Sequence, residues 1–453
     1  MEKFIKWYKL AGLYFLKFFK KYYLIIAMAL VTIVALIARY AVVMFPTGDS
    51  VGFMVGTDSG TWMNQIEAVG FRNFYTIESD YSPIFLFFLA ILTFLPKGNV
   101  VSYGTGGEFY SNRMIYVKTL YYLAAIGLAF GVFLLVKEIT KSKNKGAVGY
   151  IIALLLPSLF VNSSIYGNAD VIYVGLLIYA FYFAIKGDSI WTFAFFGFAF
   201  ANKAQAIFIL PFLVYLLFKR KLKLWSIVIA PLAYIVTFIP AFVCGASLAE
   251  PFTYLTKQFG GQTALTYGAA TIWKFLEFDK ASDVLVDGAP WIALFGIGCV
   301  LALALYRNFK LEEKTDMFKV GISLSMITIF LLPRMHERYF LLIDVLLIIY
   351  VILDKKKFYL LLLMQISSAI VYFHYISFND GTAAYGWHRY LINILGEDSV
   401  TIASLINLFI IGVMIHDLFK LDHKPLKEEV EELDKEITQL EQAEVAQEKD
   451  LEK

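Results

Sequence analysis

The stretch FLLPRMHERYFLLIDVLLIIY, residues 330–350, sets Arg334, His336, Glu337 and Arg338 within five positions, between two apolar runs. Ionisable groups so placed sit either in the core of a soluble protein or at a membrane boundary, and composition decides between the two. Of the 453 residues 59% are hydrophobic and 17% aromatic, only 17% are charged, and the mean hydropathy is +0.66. That is far more apolar than a soluble globular domain. The chain therefore reads as an all-α polytopic membrane protein, with the charged stretch at the end of a span.

Outward from that stretch, about twelve apolar segments can be measured against the roughly 20 residues that cross the hydrocarbon. They fall near 22–45, 114–136, 146–163, 170–186, 189–202, 205–218, 223–243, 289–306, 317–333, 339–353, 357–376 and 399–419. Six lysines between Lys3 and Lys21 precede the first segment, so residues 1–21 form a basic, amphipathic cytoplasmic segment. Later basic clusters at Lys137–Lys145, Lys186, Lys219–Lys223, Arg307–Lys319 and Lys355–Lys357 all fall inside if the segments alternate. Residues 22–420 then make one transmembrane domain with both chain ends cytoplasmic. No cleaved leader is predicted, because the first apolar run is long enough to remain as a span.

Crossing by residues 81–96, YSPIFLFFLAILTFLP, would throw Lys137–Lys145 outside. The stretch is read as an interfacial helix inside a large first external loop, 46–113. Further external loops are expected at 244–288 and 379–398. The charged tail, 421–453, carries Leu426, Val430, Leu433, Ile437 and Leu440 at alternating spacings of four and three. It is expected to be a cytoplasmic helix, with self-association through this short a/d rhythm as the alternative to a solvated face.

Polar residues gather at the outer ends of these segments. Asp58 stands in VGTDSGTW and Asp80 in ESDYSP, both in the first external loop. Asp170 closes VNSSIYGNAD, and Lys203 and Gln205 lie in NKAQ at the apex of a bent pair. Taken singly each has an ordinary reading: Asp58 and Asp80 as solvated loop residues, Asp170 as a helix cap, Lys203 as a snorkelling side chain, and the RMHER cluster as an ion-pair knot. Cys244 and Cys299 are too few for a disulfide framework, and the five histidines lack ligand spacing, so no metal centre is expected from them.

The order of these elements resembles the GT-C superfamily of polytopic glycosyltransferases that use polyprenyl-phosphate sugars, in particular dolichyl-phosphate-glucose glucosyltransferases and bacterial relatives of the GPI mannosyltransferases. SDYSP is similar to that family's Asp-Tyr-Pro-Pro element with Ser82 for the first Pro. EFYSNRMIYVKTL resembles the start of its second span, and RMHERY its His-Glu-basic element. YGNAD departs from the Trp-Gly-Gln-x-Asp of the bacterial relatives at Tyr166 and Asn168, while Asp170 stays in register.

The resemblance implies a GT-C fold and an inverting transfer of a hexose from a polyprenyl-phosphate donor to a glycan, polymer or lipid-linked acceptor. It implies Asp58 as general base, Asp80 orienting the acceptor, and Lys203, His336, Arg338 and Arg334 holding the donor phosphate. Glu337, Asp170 and Gln205 would support them. No cofactor is called for; a divalent metal is left open, since relatives differ in using one. Partners are membrane lipids, donor and acceptor, with no nucleic acid. The Lys, Ile and Phe bias points to a bacterial plasma membrane and an undecaprenyl-phosphate sugar. A transporter or flippase for a lipid-linked or soluble solute is the alternative, with Asp344 and Lys118 as the charges inside spans that would serve it.

Overall fold

The computed structural model describes residues 2–43, 59–79, 81–103, 107–259, 264–276, 283–378 and 398–423, with isolated positions of the tail. Asp58, Asp80, the loop 379–397 and all heptad positions of the tail except Ile437 lie outside the described residues.

Helix α1 (Glu2–Ala41) runs unbroken for 40 residues, so the basic N-terminal segment and the first apolar run are one helix. Then come α2 (Thr61–Val69), a 3₁₀ turn at Phe71–Thr76, α3 (Pro83–Leu92) and a hairpin of β1 (Val100–Tyr103) with β2 (Gly107–Tyr110). At 10 residues, or about 15 Å, α3 is too short to cross a bilayer, and it buries Phe85, Leu86 and Leu89. Helix α4 (Ser111–Thr140) follows, then α5 (Lys143–Leu155) and α6 (Pro157–Phe160), which runs into a π turn at Val161–Tyr166. The chain bends by 49° where Leu156, extended because Pro157 follows it, separates α5 from α6.

Next are α7 (Asp170–Lys186), α8 (Ser189–Asn202), a 3₁₀ turn at Ala204–Ile209, α9 (Leu210–Phe218), α10 (Ile229–Val236), α11 (Ile239–Val243) and α12 (Glu250–Phe259). Strand β3 (Thr266–Tyr267), α13 (Asp283–Arg307), α14 (Lys314–Leu331), β4 (Met335–His336), α15 (Leu341–Leu353), α16 (Phe358–Phe378) and α17 (Ser399–Phe419) complete the order. Helix α4 packs on α5 and α7, α7 on α8, α8 on α10, and α16 on α17. The α8 and α10 backbones approach so closely that a Cβ at Gly197 would run into the Ala230 carbonyl. Helix α15 is buried at every position from Leu341 to Tyr350 and touches α4, α5, α7, α14 and α16; it is the centre of the bundle.

Over the described residues each of the twelve apolar segments is largely helical, and the protein is an all-α, multi-pass membrane protein. Among the described residues five helices are long and apolar enough to span by themselves, or six counting the bent α5–α6 pair. The others fall short for definite reasons. Helices α8, α9 and α10 run 14, 9 and 8 residues, and α14 begins with Lys314, Asp316 and Lys319.

The two ends of the bundle differ in charge. The connections α4–α5, α7–α8, α9–α10, α13–α14 and α15–α16 share one end and carry Lys141, Lys143, Lys145, Lys186, Lys219, Arg220, Lys221, Lys223, Lys310 and Lys355–Lys357. Cross-links from Lys314 to Glu138 and from Lys219 to Asn308 join the α13–α14 connection to the α4–α5 and α9–α10 connections. The start of α7, the end of α8, the end of α14 and the start of α15 lie at the other end, joined by a buried polar cluster.

Candidate active site

Three breaks in helix supply that cluster. Gly167, with φ of 66°, takes the left-handed conformation that ends the π turn, which glycine adopts without steric cost. Asn168 Oδ1 then accepts the amide of Asp170, the first residue of α7, at 2.9 Å, and Ala169 stands at the N-cap, so Asp170 does not cap the helix. The Asp170 carboxylate is thereby released from the helix terminus and turns inward, fully buried. At the second break, α8 ends at Asn202 and Lys203 is extended, so its side chain leaves the helix toward α7. The third follows α14: Leu332 is extended before Pro333, and β4 pairs in parallel with β3, placing Tyr267 beside His336.

Asp170 joins two cations. One oxygen meets the Lys203 ammonium, and Oδ2 lies 3.1 Å from Arg338 Nε. Arg338 Nη1 reaches Glu337 Oε1 at 2.8 Å, and the Tyr166 hydroxyl donates to that same oxygen at 2.6 Å. Lys203, Glu337 and Arg338 are 6, 1 and 8% exposed, so these are desolvated pairs for which loss of one partner is costly. Aromatic faces wall the Lys203 ammonium, with the ring centres of Tyr339, Tyr81 and Tyr173 at 5.1, 5.4 and 5.9 Å. Gln205 donates to the Tyr339 hydroxyl at 3.1 Å and holds that wall.

His336 stacks on Tyr267 at 4.9 Å between ring centres, and its Nδ1 is 3.6 Å from Glu337 Oε2, beyond hydrogen-bond range. Burial, with Arg338 and Lys203 nearby, holds its pKa below 6.5 and the ring neutral. Burial alone would raise Glu337, but the charge of Arg338, together with His336 and the Tyr166 hydroxyl, overrides it and carries the carboxyl down to about 2. With His336 neutral, two cations face two carboxylates among the described residues.

Arg334 stands apart from this cluster. Its backbone is left-handed, with φ of 62°, and its guanidinium turns to the Val286 carbonyl at 3.3 Å and toward Asp287 at 3.9 Å, on α13. Asp170, Lys203, Gln205, His336, Glu337 and Arg338 are therefore brought together, Arg334 is directed elsewhere, and Asp58 and Asp80 are outside the described residues. Tyr166 was legible only as a departure from a motif, and Tyr81 and Tyr339 only as letters inside motifs. Tyr267 carried no sequence signal. Among the described residues no three His, Cys, Asp or Glu side chains group closely enough to hold a metal.

An apolar bundle with a buried cluster of ion-paired side chains at one end, assembled from three helix breaks, defines a multi-pass membrane protein with a polar site built into the bundle. The chain belongs to glycosyltransferase family 87, a GT-C type membrane glycosyltransferase family, whose profile matches residues 80–333, 254 of 453 residues. The match takes in Asp170, Lys203 and Gln205 and ends one residue before Arg334. No curated protein matches the chain.

Proposed function

We propose that this membrane glycosyltransferase moves a hexose, with inversion, from a polyprenyl-phosphate donor to a cell-envelope or lipid-linked acceptor at the outer face of a bacterial plasma membrane. An undecaprenyl-phosphate sugar is the expected donor. The observation that carries this reading is the union of Lys203 and Arg338 on Asp170 in a buried cluster at one end of an apolar bundle, which also holds an apolar cleft. That cleft, of about 430 Å³, is lined by Phe196, Phe200, Ile207, Tyr234, Ile235 and Phe252 among others. Phe200 and Ile207 of this cleft lie three and four positions from Lys203 in the chain, and an apolar slot of this kind suits the hydrocarbon tail of a lipid phosphate.

In the reaction the acceptor hydroxyl oxygen bonds to the anomeric carbon as that carbon's bond to the phosphate oxygen breaks. The hydroxyl proton passes to a carboxylate, and the bond electrons remain on the departing lipid phosphate. Asp58 is the proposed base, worth about 10² to 10⁴ in rate, and Asp80 orients the acceptor. Lys203 and Arg338 stabilise the leaving phosphate, whose charge grows in the transition state. Asp170 and Glu337 hold those cations in fixed positions, so little reorganisation accompanies the charge shift. Arg338 Nη2, without a partner among the described residues, has donors for a phosphate oxygen, and neutral His336 offers one N–H. The basic connections at the opposite end support a cytoplasmic assignment for that end and an external one for the cluster.

The carrier reading loses its main support in Asp344 and Lys118. Lys118 donates to the Val43 carbonyl at 2.9 Å, and Asp344 accepts from Gln365 at 2.7 Å and Ser368 at 2.9 Å, so both are occupied locally.

The test is transfer by the purified protein in nanodiscs, supplied with polyprenyl-phosphate hexoses and read by release of polyprenyl phosphate. Release that requires an acceptor supports the proposal. Use of nucleotide sugars with no polyprenyl-phosphate hexose accepted would overturn it.

A further inference from the structure

The basic end of the bundle holds a second polar site, far from the cluster just described. Four helix ends meet there: the first turns of α14, the end of α15, the start of α16 and the end of α17. Between them lies a cavity of about 250 Å³ lined by Lys319, Lys357, Lys420, Tyr350, Asp354 and Asp417, among others.

Its floor is fixed. Tyr350 donates to Asp417 Oδ2 at 2.7 Å, and Lys357 Nζ is 2.9 Å from the same carboxylate, tying α15, α16 and α17 together. Its rim is fixed too, since the Lys310 amide donates to the Asp422 carbonyl at 2.8 Å and pins the chain just after Lys420. Asp417 is thus satisfied from inside the wall, and Asp354 accepts the Lys356 amide at 3.0 Å. Lys319 and Lys420 make no ion pair among the described residues. Asp316, one turn before Lys319, lowers the local field without bonding to it.

We infer that this cavity binds the phosphate of an anionic lipid headgroup, held by Lys319 and Lys420 with Lys357 behind them. Of the three ammonium groups that line the cavity Lys357 is taken by Asp417, which leaves Lys319 and Lys420 facing Asp354 in the lining, with Asp316 behind Lys319, in a concave polar site at a membrane surface. Ligand pockets for whole drug-sized molecules run about 300 to 1,000 Å³; this one is smaller and suits a headgroup better than a nucleotide. A lipid also leaves its acyl chains along the helix ends, which a soluble phosphate does not need.

The measurement is lipid retention by the full chain, exchanged into nanodiscs of equal phosphatidylglycerol and phosphatidylcholine and then released into mild detergent for native mass spectrometry. Wild type should keep phosphatidylglycerol in preference to phosphatidylcholine. Lys319→Gln with Lys420→Gln should lower that preference by about fivefold per lysine, or about 25-fold. Lys310→Gln, an exposed lysine of the same end outside the cavity, should leave it unchanged. Equal preference in wild type and the double variant, with both folded as judged by thermal unfolding, overturns the inference. So does protection against unfolding by millimolar inorganic phosphate as strong as that given by short-chain phosphatidylglycerol, which would make the ligand a free phosphate. Neither readout uses glycosyl transfer, so its outcome is independent of the reaction proposed above.

Discussion

Asp170 and Arg338, 168 positions apart, meet at 3.1 Å between Oδ2 and Nε, and through this contact the first turn of α7 is locked to the turn between α14 and α15. Lys203 closes the same knot from the end of α8. The cations proposed to receive a phosphate are thus also the joints that hold three helix ends together.

Asp170→Asn should therefore destabilise the protein by about 3 to 5 kcal/mol, since it leaves Lys203 and Arg338 buried with one carboxylate between them. Asp170→Asn combined with Lys203→Met should cost less than the two single changes added, by more than about 0.5 kcal/mol. Thermal unfolding in detergent measures both, and strict additivity would show that the two side chains do not act as a pair.

The knot should also show in the pH dependence of stability. His336 is held below 6.5 by burial, so the unfolded chain takes up its proton first and this part of the stability is lost as pH falls from about 6.5. Glu337, carried down to about 2 from 4.5 by Arg338 against the effect of burial, contributes stability that is present above about 4.5 and lost toward pH 2. His336→Gln should flatten the fall in unfolding midpoint between pH 7 and pH 5 and leave the fall below pH 4.5 intact. An unchanged slope between pH 7 and pH 5 would mean that His336 is not buried as described.

Within the bundle, Asp344 accepts from Gln365 and Ser368, and Gln365 in turn accepts the Ser158 amide, at 3.0 Å, that the α5–α6 bend leaves without a helical partner. Asp344→Leu should leave these donors unsatisfied, at about 1 to 3 kcal/mol for each, and loosen the turn that carries Tyr166 and Asp170. Asp344→Asn keeps an acceptor oxygen and should retain most stability and transfer. Were Asn at this position as damaging to transfer as Leu while the protein stayed folded, Asp344 would carry a charge or proton in function, as a transporter would use it.

The sequence disclosed the parts of this site that announce themselves locally. Arg334 to Arg338 interrupt an apolar run, and Lys203 follows one, so both stood out by contrast with lipid-facing neighbours. The contact of Tyr166 with Glu337 spans 171 positions and depends on how a π turn ends, which no local pattern encodes. Tyr267 reaches His336 through a two-residue parallel pairing too short to register as strands. Arg334 and Arg338 look interchangeable in RMHER, yet the left-handed backbone after Pro333 turns one to α13 and the other to α7. The twelve apolar runs were legible as helices. Their number of crossings was not, because a buried ten-residue helix and half of a broken span share one composition.

The decisive prediction concerns Asp58 and Asp80, the proposed base and the proposed acceptor-orienting residue. Asp58→Asn preserves the size of the side chain but cannot accept a proton, so transfer should fall by about 10² or more while the donor lipid is still retained. Asp80→Asn should cost less if that residue orients the acceptor, and it should act mainly on the KM for the acceptor. A comparable loss at both positions, together with loss of wild-type activity in chelator, would mean that the carboxylates share a divalent cation. Near-normal transfer by Asp58→Asn, with a donor already shown to work for the wild type, would move the base to Asp80. The buried Asp170 is the weaker alternative, because it is fully buried and its carboxylate is ion-paired with both Lys203 and Arg338, which hold it ionised against cations and away from an acceptor.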